Sequence, residues 1–172
     1  MAPGLEATDF YSPPHATWAS GIHAAIVEVD LDDCQVAYRR YVCVHDCGNV
    51  INPMVVEGQV MGGVAQGVGG ALYEKLEYDE DGQLRNASFM DFLMPYATEV
   101  PRVELHHLET PSPLNPLGIK GVGEAGAIPV PALTASAVSD ALRPLGVSIT
   151  EAPIFPDRLF QLVEEARRRS TG

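Results

Sequence analysis

The sequence predicts an α+β domain in which a mixed or mostly antiparallel sheet packs against helices. Three observations lead there. Two β-branched apolar runs (residues 22–29 and 36–44) come early, a long stretch of helical apolar spacing follows Asn52-Pro53, and two more helical patterns close the chain after one further strand. At 172 residues and 46% hydrophobic content, a single domain over residues 1–172 with a substantial core is expected.

Residues 1–20 are polar and turn-rich, with Ser12-Pro13-Pro14, and read as an extended lead-in without an element of its own. The runs at 22–29 and 36–44 flank Leu31-Asp32-Asp33-Cys34-Gln35 and read as a β-hairpin with both strands substantially covered. From Met54 to about Leu76, Val56, Val60, Val64, Val68 and Leu72 recur at helical spacing. Six glycines interrupt that stretch (Gly58, Gly62, Gly63, Gly67, Gly69, Gly70), each costing an isolated helix ~1 kcal/mol. Close packing of backbone against a neighbour or a ligand is the expected compensation.

Asp79-Glu80-Asp81-Gly82 marks a turn between two more extended stretches, and residues 103–109 alternate as a strand. Val130, Leu133, Ala137, Val138, Ala141, Leu142 and Leu145 mark an amphipathic helix that accepts Pro131 in its first turn and ends at Pro144 and Gly146. An extended piece at 147–150 precedes a last helix from near Pro156, which presents Leu159, Phe160, Leu162, Val163 and Ala166.

A net charge of -12 and a pI near 4.6 argue against nucleic-acid binding. The basic cluster Arg167-Arg168-Arg169 suits a helix C-terminus. No run approaches the ~20 apolar residues of a membrane span. The N-terminus lacks a signal-peptide pattern, so the cytoplasm is the expected compartment. Cys34, Cys43 and Cys47 read as reduced, buried thiols. Cys43, His45 and Cys47 would share a strand face, too far apart to clasp one ion without a bend. Gly67-Val68-Gly69-Gly70 partly mimics a dinucleotide fingerprint but lies inside a helical pattern, and no phosphate-loop Gly-Lys-Ser/Thr is present.

The strongest chemical candidate is Lys120-Gly121-Val122-Gly123-Glu124-Ala125-Gly126. It is reached through a proline-rich approach (residues 111–116) and followed by Pro129 and Pro131. Glycines permit close approach of a ligand, so Glu124 reads as a placed acid, with Lys120 as a candidate charge partner. Gln59 and Gln66, seven apart, share a helix face. Amides suit a heterocycle or an oxo group, although surface decoration is the simpler reading of the two from composition. His106 and His107 fall on opposite strand faces and cannot jointly hold a metal; Asp46, Asn49 and Asn52 read as turn and cap chemistry. No nucleophile–histidine–acid arrangement is evident.

Several motifs occur in a fixed order over essentially the whole chain. They are Pro3-Gly4-Leu5-Glu6-Ala7, Val44-His45-Asp46-Cys47-Gly48 with Ile51-Asn52-Pro53, Glu57-Gly58-Gln59-Val60, Gln66-Gly67-Val68-Gly69, Thr110-Pro111-Ser112-Pro113 and Lys120-Gly121-Val122-Gly123-Glu124. Together they resemble the C-terminal segment of the molybdopterin-binding large subunit of the xanthine dehydrogenase, aldehyde oxidase and carbon monoxide dehydrogenase family.

The resemblance implies the C-terminal portion of a molybdenum-cofactor-binding domain and an oxidoreductase that hydroxylates by metal-bound hydroxide, with hydride passing to a sulfido ligand. By position, Glu124 matches the family's base and Gln59 its cofactor contact. Lys120, Gly121 and Gly123 belong to the matching cofactor-binding loop, and no residue here matches a metal ligand. A molybdopterin-type cofactor is expected in the assembled enzyme and none in the isolated chain. The implied partners are the remainder of the molybdenum subunit and the iron–sulfur and flavin subunits.

Cysteine sets for iron–sulfur clusters and the upstream half of the molybdenum site are missing from these residues. The chain then reads as a segment or split subunit, inactive alone, or alternatively as a cofactor-free interaction module on the same scaffold. A wall made for burial leaves apolar surface that would drive homo-oligomerisation or partner binding.

Overall fold

The β-branched runs form β1 (Ser20–Val29) and β2 (Val36–Asp46), paired antiparallel. The computed structural model describes residues 4–170, so the first three residues of the lead-in and the last two of the chain lie outside it. Between the strands, Asp30 accepts the amides of Asp32 and Asp33 on one carboxylate oxygen, closing the turn. β3 (Val103–His107) then joins β2 in parallel, so the described residues carry a mixed sheet in the order β1-β2-β3.

A parallel return needs a long crossover. It contains α1 (Pro53–Leu72), which starts where Asn52 accepts the Val55 amide and Pro53 takes the first helical position. α2 (Val130–Ala141) and α3 (Pro156–Ser170) complete the fold, with Arg143–Leu145 as a short 3-10 turn closed by Gly146 at φ 67°. Val64 and Val68 of α1, Val130 and Val138 of α2, and Leu159 and Val163 of α3 meet Tyr41 of β2 in the core. The α+β class and the mixed sheet expected from the sequence are those observed.

Close packing explains part of the glycine content of α1. A Cβ on Gly63 would stand 2.8 Å from Gly126 Cα, a Cβ on Gly126 would overlap the Val60 carbonyl, and one on Gly67 would overlap the Val130 side chain. The helix backbone therefore lies directly against the segment that carries Glu124. Gly58, Gly62 and Gly70 face open space instead.

Three expectations are corrected. α1 ends at Leu72, not near 76, because Tyr73 leaves helical angles and Glu74 folds back, its amide donating to Gly69 O at 2.8 Å. The stretches around Asp79–Gly82 form a single bridge, Tyr78 to Leu84, since no layer covers them to support a hairpin. Residues 147–150 lie outside helix and sheet, in keeping with the expected extended piece, and the Ile149 amide donates to Ser139 Oγ on α2. β1 is covered on one face only: Ala25, Val27 and Val29 pack on the core, while Ile22 and Ile26 are 74% and 58% exposed.

The two glycine environments predict opposite signs for the same substitution. Gly63→Ala should destabilise the chain by about 1–3 kcal/mol through overpacking. Gly62→Ala should stabilise it by about 0.5–1 kcal/mol through helix propensity. Urea midpoints at unchanged m-value check both.

Candidate functional site

The Glu124 loop is stitched to the end of β2. Asp46 accepts the Gly48 amide at 2.9 Å, and Gly48 turns at φ 71° against Gly118, itself at φ 65°. A side chain on Gly48 would overlap the Gly118 carbonyl, which accepts the amides of Asn49 and Ser112. The Lys120 amide then donates to Cys47 O at 2.7 Å, and the Gly121 amide donates to Thr17 O at 2.9 Å. Beyond it, the amides of Ala127 and Ile128 return to Glu124 O and lead into α2.

Gln59 on α1 reaches the same loop, its Nε2 donating to Gly123 O at 3.1 Å. Gln59, Gln66 and Glu124 are all exposed, and Val55, Gly58, Gln59, Gly62 and Gln66 share one face of α1 by helical spacing. Glu124 lines a cavity of about 490 Å³ with Trp18, Gly21, His23, Val122 and Ile128. Gln59 and Glu124, 65 residues apart in sequence, are thus joined through one peptide carbonyl.

Lys120 has a different partner from the one expected. Its ammonium lies 3.2 Å from Asp46 Oδ1, with both side chains largely buried, because the Lys120–Cys47 backbone bond delivers it beside β2. Burial opposes the charge of Asp46. Hydrogen bonds from Thr110, the Gly48 amide and Lys120 outweigh that penalty and hold its carboxyl well below the usual range. Asp46 is therefore more than a turn residue: it clamps the approach to the Glu124 loop.

A polar seam lies beneath. His23 on β1 places Nδ1 2.8 Å from the Tyr41 hydroxyl and Nε2 3.2 Å from Cys43 Sγ. Burial, then the neighbouring His45, lower the pKa of His23, while the Ala125 backbone raises it. Burial pushes the Cys43 thiol up to about 11, so it is a proton-bearing core group. His45 and His107 approach edge to face at 6.5 Å, and His45 Nε2 with both His107 ring nitrogens are buried without a hydrogen-bond partner.

All three cysteines are buried and free, and His106 and His107 point to opposite faces. Among the described residues no group of three or more His, Cys, Asp or Glu side chains is disposed to hold a metal ion. The sequence reading missed His23. Its signal was a titratable residue at an inward position of an otherwise apolar strand.

The molybdopterin cofactor-binding domain family matches residues 1–101, and the chain belongs to that family. The nicotine 6-hydroxylase large subunit of Paenarthrobacter nicotinovorans is 43% identical over 159 residues, which cover 92% of this chain and 20% of the relative. Quinoline 2-oxidoreductase from Pseudomonas putida 86 superposes with a TM-score of 0.83 at 48% identity, over 86% of this chain and 19% of that one. CO dehydrogenase from Oligotropha carboxidovorans gives a TM-score of 0.89 at 38% identity, over 98% of this chain and 21% of that one. The chain thus spans about a fifth of the length of the curated relatives it matches. No helix of the described residues is long and apolar enough to cross a membrane.

Acid should undo this region in two stages. His23 and His45 have folded pKa values below 6.5, so the unfolded chain protonates first and stability falls as pH drops from about 6.5. Asp46, depressed below 3.8, adds stability present above that pH and lost as pH falls toward its folded value. Asp46→Asn should flatten the second stage and cost about 3 kcal/mol at neutral pH by leaving Lys120 unpaired. Urea titrations across pH measure both.

Proposed function

We propose that this chain forms one wall of the molybdenum-cofactor site of a molybdenum hydroxylase, with Glu124 as its base. The observation that carries the reading is the hydrogen bond from Gln59 to Gly123 O, which sets the amide of α1 beside the Glu124 loop. The residues fit such a group. Gly58, Gly62 and Gly123 meet nothing where a Cβ would stand, so α1 and the loop offer bare backbone on either side of Gln59. A large organic cofactor with a polar rim can lie against that surface, received by the Gln59 amide and by the backbone of Gly121 and Gly123.

When bound, the cofactor supplies a two-electron redox centre and Lewis-acid polarisation. The chain supplies the rest of its share. Glu124 takes a proton at a carboxylate oxygen during the attack on an electrophilic carbon. Lys120 serves by holding the loop to Asp46, a positioning duty that its burial favours over direct contact.

The chain is inactive and cofactor-free alone in this reading, since it contributes one side of a shared site. Its partners are the remainder of the molybdenum subunit and the iron–sulfur and flavin subunits. Support comes from the one-fifth span relative to its relatives and from exposed Ile22, Ile26, Met54, Phe89 and Met90.

Purification from the native host should yield a complex with stoichiometric molybdenum together with iron–sulfur and flavin subunits. Absence of all three would favour a cofactor-free interaction module. Within that complex, Glu124→Gln should lower kcat by about 10²–10⁴-fold while molybdenum content stays unchanged. Undiminished turnover would remove Glu124 from the role of base.

A further inference from the structure

The sheet has two outer edges, and they are built differently. β1 is interrupted by a register shift between Ile26 and Val27, an irregularity that turns an edge away from further pairing. β3 keeps one unbroken register with β2 from Val103 to His107. It carries neither proline nor lysine, the residues that commonly blunt an exposed edge.

The pairing decides which groups of β3 stay free. The Leu108 amide donates to His45 O at 2.8 Å, so residue 108 faces β2, and by the alternation of peptide groups along a strand so do Glu104 and His106. The amides and carbonyls of Val103, Leu105 and His107 point the other way. Among the described residues no backbone hydrogen bond reaches them, because β3 ends the sheet on that side. Such groups require water or another chain as their partner.

That free edge borders a trough of about 770 Å³ whose other wall is α1. Val100, Val103 and Leu105 lie on the strand side, Met61 and Ala65 on the helix side. Met61 is 45% exposed although Val60 and Val64 beside it are fully buried, so the trough is an apolar surface left open rather than a gap in the core. An extended chain laid along β3 would meet unpaired peptide groups at its edge and apolar side chains on one face. Its other face would lie beside Glu104 and His106, both exposed.

We propose that β3 takes a further strand here: a segment of the remainder of the molybdenum subunit, apolar at alternate positions, extends the sheet along β3 and fills the trough against α1. β3 has five residues, so a segment of similar length, at ~3.3 Å per residue, matches it. The span of the chain commits the edge to that occupant, since these residues cover only 20% of a relative and leave most of such a subunit to supply it. A segment of the same assembled subunit arrives at high effective concentration; main-chain bonds then give affinity and alternate side chains give register. The occupant rests on the proposed reading that this chain belongs to such a subunit; the free edge does not.

Residue-resolved hydrogen exchange on the full chain alone and on the assembled complex decides the matter. In the chain alone, the Val103, Leu105 and His107 amides should exchange at least about tenfold faster than those of Glu104, His106 and Leu108. In the complex that alternation should vanish, the outward amides slowing by at least about tenfold. Met61→Asp puts a charge in the trough, and Val103→Pro removes an outward amide at the first residue of the strand. Each should leave the urea midpoint of the chain alone near its wild-type value and lower the yield of complex by about tenfold or more. Outward amides that stay fast in a complex with stoichiometric molybdenum would overturn the added strand and leave the cofactor reading intact. Protection already present in the chain alone and lost on dilution would assign the edge to a second copy and overturn the proposed occupant. Protection gained in a complex without molybdenum would uphold the added strand and count against the cofactor reading. Should neither variant fold, the wild-type comparison decides by itself.

Discussion

The structure depends on how closely the backbone of α1 can approach the segment before α2. At Gly63 and Gly126 two main chains meet with no side chain between them, and Gly67 lets Val130 follow. A helix normally presents a layer of side chains, which keeps a facing backbone several ångströms away. Removing that layer costs helix propensity, and the cost is offset by what the contact positions. It brings Gln59 within hydrogen-bonding distance of Gly123, sets the turn at Glu124 O, and starts α2 in register with the core. The Asp46–Lys120 pair secures the other end of the same loop to β2. Between these two attachments the Glu124 segment has little freedom, although it is rich in glycine.

Much of this was legible in the sequence. The β-branched runs gave both hairpin strands, the four-residue valine spacing gave α1, and the glycines in α1 announced a close backbone neighbour. Glu124 and Gln59 were legible as candidates because glycines and helix-face spacing are local signals. The identity of the Lys120 partner was not local. Four-residue spacing suggested Glu124, but the Lys120 amide is captured by Cys47, which carries its side chain to Asp46 some seventy residues earlier in the chain. His23 escaped for the same reason. Its partners Tyr41 and Cys43, and the Glu124 loop that lines the same cavity, come together only after the hairpin has closed.

The elements that sequence reading overestimated share a cause. The stretch around Asp79–Gly82 and the far face of β1 carry β-type residues, including Tyr78, Leu84, Ile22 and Ile26, that remain uncovered. Apolar pattern reports what a segment is built to bury, not what is present to bury it. In the proposed reading these exposed residues belong to the surface that meets the remainder of the subunit. The chain covers about a fifth of its relatives and leaves Ile22 and Ile26 of β1 exposed.

The parallel pairing of β2 with β3 has a kinetic consequence. β1, β2 and α1 are all made before β3 exists, and the Glu124 loop comes later still. During synthesis β2 must wait with one edge unpaired, Tyr41 and His45 must wait without their later neighbours, and the glycine face of α1 must wait without its loop. Non-local closure of this kind is slow, and an unpaired strand edge is the surface most prone to misassociate. β3 is thus the element that closes the exposed edge of β2, and the later Glu124 loop is what finally covers the glycine face of α1.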